Sequence, residues 1–127
     1  METPQFEVKD SGEREEFESG MVRDVTEGKV DYSLIFDGPM AKRWAEHLTK
    51  GQIKYPDPVL GQANWMRAQG LAEKIRFRKS ACRHFVQWLM GYTDEDHASA
   101  IFFNVNGVEY VNERLRATNT KSTPDSR

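Results

Sequence analysis

The sequence lacks the features of secreted, membrane-spanning and nucleic-acid-coating proteins. Its single cysteine, Cys82, allows no disulfide within the chain, which is typical of a reducing compartment. No apolar run approaches the ~20 residues that cross a bilayer, and no basic and apolar leader is present. The net charge of −2 offers no long-range attraction for DNA or anionic lipid. We therefore expect a cytoplasmic protein that binds neither a nucleic-acid polymer nor a membrane.

The composition is that of one small globular domain. The chain has 127 residues, of which 38% are hydrophobic and 30% charged. A domain of this size can form a single core and bury about two-thirds of the surface that the unfolded chain exposes. Residues 1–16 are polar and acidic, and residues 117–127 are rich in Ser, Thr and Asn. We predict that both segments are mobile, and that the folded domain spans residues 17–116.

Glycines, prolines and apolar spacing predict three helices behind an extended arm. Residues 17–36 combine glycines with an alternation of apolar residues, which is typical of extended chain. The first helix is predicted from Asp37 until Gly51 stops it, the second over about 70–90, and the third over about 94–115. We expect an all-α fold, a hairpin or small bundle of about three main helices. Three helices are too few to cover their aromatic residues, which predicts a homo-oligomer.

Several short segments occur in a specific order along about a hundred residues. They are residues 20–24 (GMVRD) with 27–29 (EGK), 51–55 (GQIKY), 64–65 (NW), 83–88 (RHFVQW), and 94–97 (DEDH) leading to 103–104 (FN). Together these segments resemble the dATP/dGTP diphosphohydrolase domain of phage and prophage proteins. The resemblance implies an all-α, MazG-like pyrophosphohydrolase that splits a purine dNTP into monophosphate and pyrophosphate with a divalent metal, in a phage-infected or prophage-bearing bacterium.

Carboxylates on two helices are the candidate metal ligands. Mg²⁺ prefers oxygen ligands, commonly one or two carboxylates together with substrate phosphates. We assign Glu46, Glu95 and Asp96 to Mg²⁺ or Mn²⁺, Asp96 on the strength of the resemblance. Glu46 and Asp96, with His84, are also the candidate catalytic residues. The alternative is that Glu46 pairs with a lysine four residues away, and that residues 94–96 are ordinary acids at a helix start.

Two histidines lie near the adjoining ends of the second and third helices. In a hairpin His84 and His97 could approach each other and bind a transition metal, or act as acid and base near neutral pH. Their spacing is not that of a metal-binding motif. Hydrogen bonding to phosphate or base is the other interpretation.

Cationic, aromatic and amide side chains are the candidates for nucleotide recognition. Arg and Lys can bind phosphates, aromatic rings can stack on a base, and Asn can read a purine edge. The candidate substrate-binding residues are Arg23, Lys29, Lys54, Tyr55, Asn64, Arg83, His97 and Asn104. We expect the arm to fold over the phosphates with Lys29 in contact. Solvated surface charge and core packing are the alternative roles.

Three functions remain open from the sequence. The first is metal-dependent hydrolysis of a purine dNTP. The second is a nucleotide-binding protein without catalysis, for example one that sequesters a host nucleotide signal. The chain lacks the paired Glu-Glu-x-x-Glu and Glu-x-x-Asp helices of MazG-type enzymes, which favours this alternative. The third is a structural helical module that assembles with itself or a partner.

Overall fold

The computed structural model describes residues 3–118, so residues 119–127 of the predicted mobile tail lie outside the described part. The described chain forms two units that meet in the sequence between Leu34 and Ile35. It is mainly helical, as predicted, with a small two-stranded sheet that the all-α prediction did not include. No helix in the described range is both long and apolar enough to cross a membrane.

The first unit contains a short antiparallel β-hairpin. Strand β1 (Arg14–Glu16) pairs with β2 (Val22–Asp24), with Arg14 opposite Asp24. The Asp24 carboxylate accepts hydrogen bonds from the backbone and hydroxyl of Ser11, and forms an ion pair with Lys29 at 3.3 Å. β1 thus lies within the segment predicted to be mobile. The alternation before Phe36 was misread as extended chain, because Tyr32–Phe36 form a 3-10 helix.

The second unit contains three α-helices and a second 3-10 helix. They are α1 (Met40–Lys54), the 3-10 helix Asn64–Arg67, α2 (Leu71–Leu89) and α3 (His97–Thr118). Helix α1 does not stop at Gly51 as predicted, because the Tyr55 N–H donates to the Gly51 carbonyl at 2.8 Å and closes one more turn. A glycine inside a helix costs only about 1 kcal/mol, which this turn tolerates.

Helices α2 and α3 form a tightly packed hairpin. A Cβ atom added at Gly107 of α3 would lie 2.6 Å from the Phe77 ring of α2, which is far inside van der Waals contact. The Phe103 ring lies 6.1 Å from Phe77, 6.3 Å from Trp65 and 5.4 Å from His47. This aromatic cluster therefore joins α1, the second 3-10 helix and the α2–α3 hairpin.

Two hydrogen bonds attach the second 3-10 helix to α3. The Tyr110 hydroxyl donates to the Met66 carbonyl at 2.8 Å, and the Arg114 guanidinium donates to the same oxygen at 2.9 Å. The Trp65 ring packs edge-on against Tyr110 with centroids 5.1 Å apart. The segment between α1 and α2 is thereby fixed against α3.

The interior of the second unit is unusually polar. The buried apolar side chains among the described residues are Ala68, Ala100 and Val111, whereas the buried polar ones are His84, His97, Ser99, Asn104 and Asn112. The apolar stripe that predicts helix α2 is exposed: Leu71 is 64% accessible and Leu89 63%. Helix α2 therefore contributes His84 and the half-buried Phe77 ring to the interior, and leaves most of its large apolar side chains at the surface.

Replacing Gly107 with alanine should destabilise the fold. The added methyl group overlaps the Phe77 ring, and overpacking of this kind costs about 1–3 kcal/mol. Gly51→Ala is the matched control, because a Cβ there meets nothing within 4 Å and alanine favours a helix by up to about 1 kcal/mol. Urea unfolding followed by circular dichroism measures both. Equal stability of the two variants would contradict close α2–α3 packing.

Candidate functional site

Helix α1, the second 3-10 helix, α2 and the start of α3 surround a cleft of about 710 Å³. Pockets that bind small molecules have volumes of roughly 300–1,000 Å³, so a cleft of this size can hold a nucleotide. The lining residues on α1 include Arg43, His47, Lys50 and Lys54. Their spacing of four, three and four residues places them on one face of the helix. The cleft therefore carries several cationic side chains from one element.

Two buried imidazoles meet where α2 and α3 converge. The Nδ1 atoms of His84 and His97 are 2.8 Å apart, and the Nε2 atom of His97 is 2.8 Å from Asp94 Oδ1. An ionised Asp94 can only accept, so His97 Nε2 carries the proton and, in the neutral ring, His97 Nδ1 presents a lone pair. His84 lines the cleft, whereas His97 lies behind it and is 2% exposed.

His84, Glu95 and His97 together could hold a metal ion. One ligand atom from each lies within 4.8 Å of the others. Burial, followed by the nearby Arg83 charge, holds the pKa of His84 below its ordinary value, which favours the neutral imidazole that binds metals. Two imidazoles and a carboxylate are donors that divalent transition metals accept. The donor set therefore fits a divalent ion, and it includes Glu95 from the predicted ligands.

Both oxygens of Asp96 already have protein partners. The Arg43 guanidinium donates to them at 2.9 and 2.6 Å, and the Ser99 N–H and hydroxyl donate at 3.0 and 2.9 Å. These contacts, Arg43 foremost, hold the pKa of the Asp96 carboxyl well below its usual range. Asp96 thus caps α3 and ties it to α1. Its predicted catalytic and metal-binding roles stay predictions. In either role Asp96 would have to give up one of these hydrogen bonds.

Glu46 lines the same cleft from α1. Its carboxylate lies 3.8 Å from Lys42 Nζ, one turn earlier, which is the surface pairing considered as an alternative from the sequence. The contact is long and both side chains are more than half exposed, so it is worth little energetically. Glu46 therefore remains available to a ligand in the cleft.

The cleft brings together most of the predicted substrate-binding residues. Those that line it are Lys54, Tyr55, Asn64, Arg83 and Asn104. Lys54 Nζ lies 5.3 Å from the centre of the Tyr55 ring. The Asn104 amide donates to the Ala100 carbonyl of its own helix at 2.8 Å.

Two predicted phosphate contacts belong to the first unit. Arg23 lies in β2, and Lys29 pairs with Asp24. The cleft is built from residues of the second unit alone. The expected phosphate contact of the arm therefore stays a prediction.

Sequence reasoning missed His47 and Lys50. His47 packs on Phe103, and burial lowers the pKa of its imidazole against the opposing influence of Asp96 and Glu95. A neutral imidazole beside these acids can accept a proton or donate a hydrogen bond. The signal that could have found both residues is their place on the α1 face that also carries Arg43 and Lys54.

Fold and site together define a helical protein with a cation-lined cleft and a candidate metal centre. The family model described as dATP/dGTP diphosphohydrolase, N-terminal, matches residues 19–115, and the chain belongs to this family. The resemblance drawn from the sequence segments is thereby confirmed. Neither the curated proteins nor the solved structures contain a significant match.

Proposed function

We propose that the protein binds a purine dNTP in the cleft and hydrolyses it to a dNMP and pyrophosphate with a divalent metal. The observation that carries the proposal is the composition of this one cleft: cationic side chains suited to a triphosphate line it beside carboxylate and imidazole groups. Family membership supplies the substrate class. We place the activity in the cytoplasm of a bacterium that carries phage, following the resemblance.

The phosphates are the part of the substrate that the cleft suits best. Lys50 and Lys54 project from α1, and Arg83 projects from α2 into the same space. Arg can bind two phosphate oxygens at once, whereas Lys acts as a mobile point charge. Three cations offset most of the charge of a nucleoside triphosphate. A polar but uncharged ligand would leave them without partners.

Other residues that line the cleft offer aromatic and amide side chains to the purine base of the nucleotide. Tyr55, Asn64 and Trp65 follow each other around the connection between α1 and α2. Trp65 is packed at steep angles against both Phe103 and Tyr110, so its ring is held in place by the core. Tyr55, which is 54% exposed, is the ring that can stack on a purine, and Asn64 can read its edge.

Hydrolysis at the α-phosphorus needs a base and charge neutralisation. Water attacks the α-phosphorus, its proton passes to the Glu46 carboxylate, and the bond to the bridging oxygen breaks so that pyrophosphate leaves. A bound divalent ion would neutralise charge on the phosphate oxygens. His84, Glu95 and His97 would hold that ion beside the cleft, and Asp96 would position Arg43.

The product test is direct. The purified protein is incubated with each dNTP in the presence of Mg²⁺ or Mn²⁺, and the products are separated by ion-exchange chromatography. We expect dAMP or dGMP together with pyrophosphate. Stoichiometric binding with recovery of the intact nucleotide would instead establish the sequestering function. That candidate is favoured by the engagement of both Asp96 oxygens with Arg43 and Ser99, which leaves fewer carboxylates of the cleft free for a catalytic metal ion.

Removing Lys54 should weaken nucleotide binding by about tenfold or more. A charge-assisted contact to phosphate is worth about 1.5–3 kcal/mol, and each 1.4 kcal/mol is a factor of ten. Lys79→Ala is the control, since Lys79 is an equally charged, exposed residue of α2 outside the cleft. Calorimetric titration with a non-hydrolysable dATP analogue compares the two variants. The same affinity in both would remove Lys54 from the phosphate site.

We also propose that the chain assembles with itself through the end of α2. Phe85, Val86, Trp88 and Leu89 are between 46% and 63% exposed there, and we call them the α2 apolar surface. With only three buried apolar side chains in the described residues, a single chain has little hydrophobic core. A second copy that covers this surface would supply the missing burial.

Light scattering should therefore give at least twice the chain mass of 14.7 kDa at micromolar concentration. Leu89→Glu should shift the mass towards that of one chain, because a charge placed in an apolar interface is costly. Leu60→Glu is the control, since Leu60 is fully exposed outside the helices. A wild-type mass near that of a single chain would contradict assembly.

A further inference from the structure

We infer that His84, Glu95 and His97 form a centre for a divalent transition-metal ion of the Mn²⁺ type, rather than a carboxylate site for Mg²⁺. His84 lies on α2, His97 is the first residue of α3, and Glu95 lies two residues before α3 begins. This set replaces two of the three ligands expected from the sequence. The inference deepens the proposed function, and its catalytic relevance rests on that function.

The two imidazoles share a hydrogen bond at the place where the ion would bind. Their Nδ1 atoms are 2.8 Å apart, and because Nδ1 of the neutral His97 ring carries a lone pair, the N–H at His84 Nδ1 donates to it. A divalent ion that binds both rings would displace this proton. Two imidazoles and one carboxylate would leave the ion's remaining positions to water and phosphate oxygens.

Asp94 orients the deeper ligand. It accepts a hydrogen bond from His97 Nε2 at 2.8 Å, which leaves Nδ1 of the same ring directed at His84. Metal-bound histidines commonly donate their second nitrogen to a carboxylate in this way, and the partner fixes both tautomer and ring angle. Asp94 is therefore a positioning residue for the centre.

Burial and access are both suited to a bound ion that meets substrate. His97 is 2% exposed and His84 7%, so the nitrogens that would bind the ion are shielded from bulk water. Glu95 is exposed, and it lines the cleft together with His84. An ion held by these three would face the space where Lys54 and Arg83 lie.

Mg²⁺ is the poorer occupant because it prefers oxygen ligands and keeps its waters. Imidazole nitrogens suit transition metals instead. Of the carboxylates that Mg²⁺ would use, Asp96 is less accessible, since Arg43 and Ser99 engage both of its oxygens. The two imidazoles of this site therefore favour Mn²⁺ over Mg²⁺.

Metal binding is measured on the full chain without nucleotide. Mn²⁺ is titrated while the free ion is followed by electron paramagnetic resonance, and pulsed measurements on the complex report nitrogen couplings from imidazole. The variants are His84→Asn, Glu95→Gln and Asp94→Asn. Glu46→Gln is the matched control, because Glu46 lines the same cleft but lies outside the three-residue group. Circular dichroism checks the fold of His84→Asn, and Glu95→Gln changes only an exposed side chain.

We expect stoichiometric Mn²⁺ binding with two imidazole couplings, one of which is lost in His84→Asn. Removal of an outer hydrogen-bonding partner costs about 10–100-fold in affinity, so Asp94→Asn should fall in that range and Glu95→Gln at or beyond it. Glu46→Gln should bind as the wild type does. An excess of Mg²⁺ should displace little Mn²⁺.

Absence of Mn²⁺ binding, absence of nitrogen couplings, or loss of affinity in Glu46→Gln but not in Glu95→Gln would overturn the inference. Failure of this inference can be distinguished from failure of the proposed function. Hydrolysis supported by Mg²⁺ without Mn²⁺ binding would leave the function and remove this centre. Mn²⁺ binding without nucleotide turnover would leave the centre and remove the function.

Discussion

The close approach of α2 and α3 at Gly107 is the constraint on which the site depends. The Phe77 ring occupies the space that any larger residue at position 107 would fill, and this contact sets the distance between the two helices. Two turns further along α2 and three turns back along α3, the same spacing brings His84 and His97 within 2.8 Å. Wider separation of the helices would part the imidazoles and open the rear of the cleft.

This arrangement explains why the interior is polar. A small chain that buries histidines, Ser99 and two asparagines gives up much of the area that would otherwise hold apolar side chains. The Asp96 contacts with Arg43 and Ser99 join α1 to α3 where hydrophobic packing is sparse, and Phe103 does the same from the aromatic side. The polar interior accounts for the α2 apolar surface, because the large apolar side chains that would otherwise form a core lie on the outside of the helix.

Helices were predictable from the sequence, whereas the site was predictable only in part. Apolar spacing and helix-start acids located α2 and α3 within about three residues, because such signals act locally. The approach of His84 and His97 was foreseen as one possibility, but their contact depends on the rotational setting of two helices. That setting follows from Gly107 and Phe77, which are thirty residues apart, and no local pattern reports it. His47 was missed, although its sequence spacing places it on the same face of α1 as Arg43, Lys50 and Lys54.

The central claim is that one cleft holds both the metal and the triphosphate. A crystal structure with Mn²⁺ and a dATP analogue whose α–β bridge resists hydrolysis tests it most directly, with data collected at the manganese absorption edge. The account predicts an anomalous peak bonded to His84 Nδ1, His97 Nδ1 and Glu95, with phosphate oxygens completing the ion's coordination and Lys54 beside the phosphate chain. A peak between Glu46 and Asp96 with none at the histidines, or a nucleotide bound outside the cleft, would contradict it.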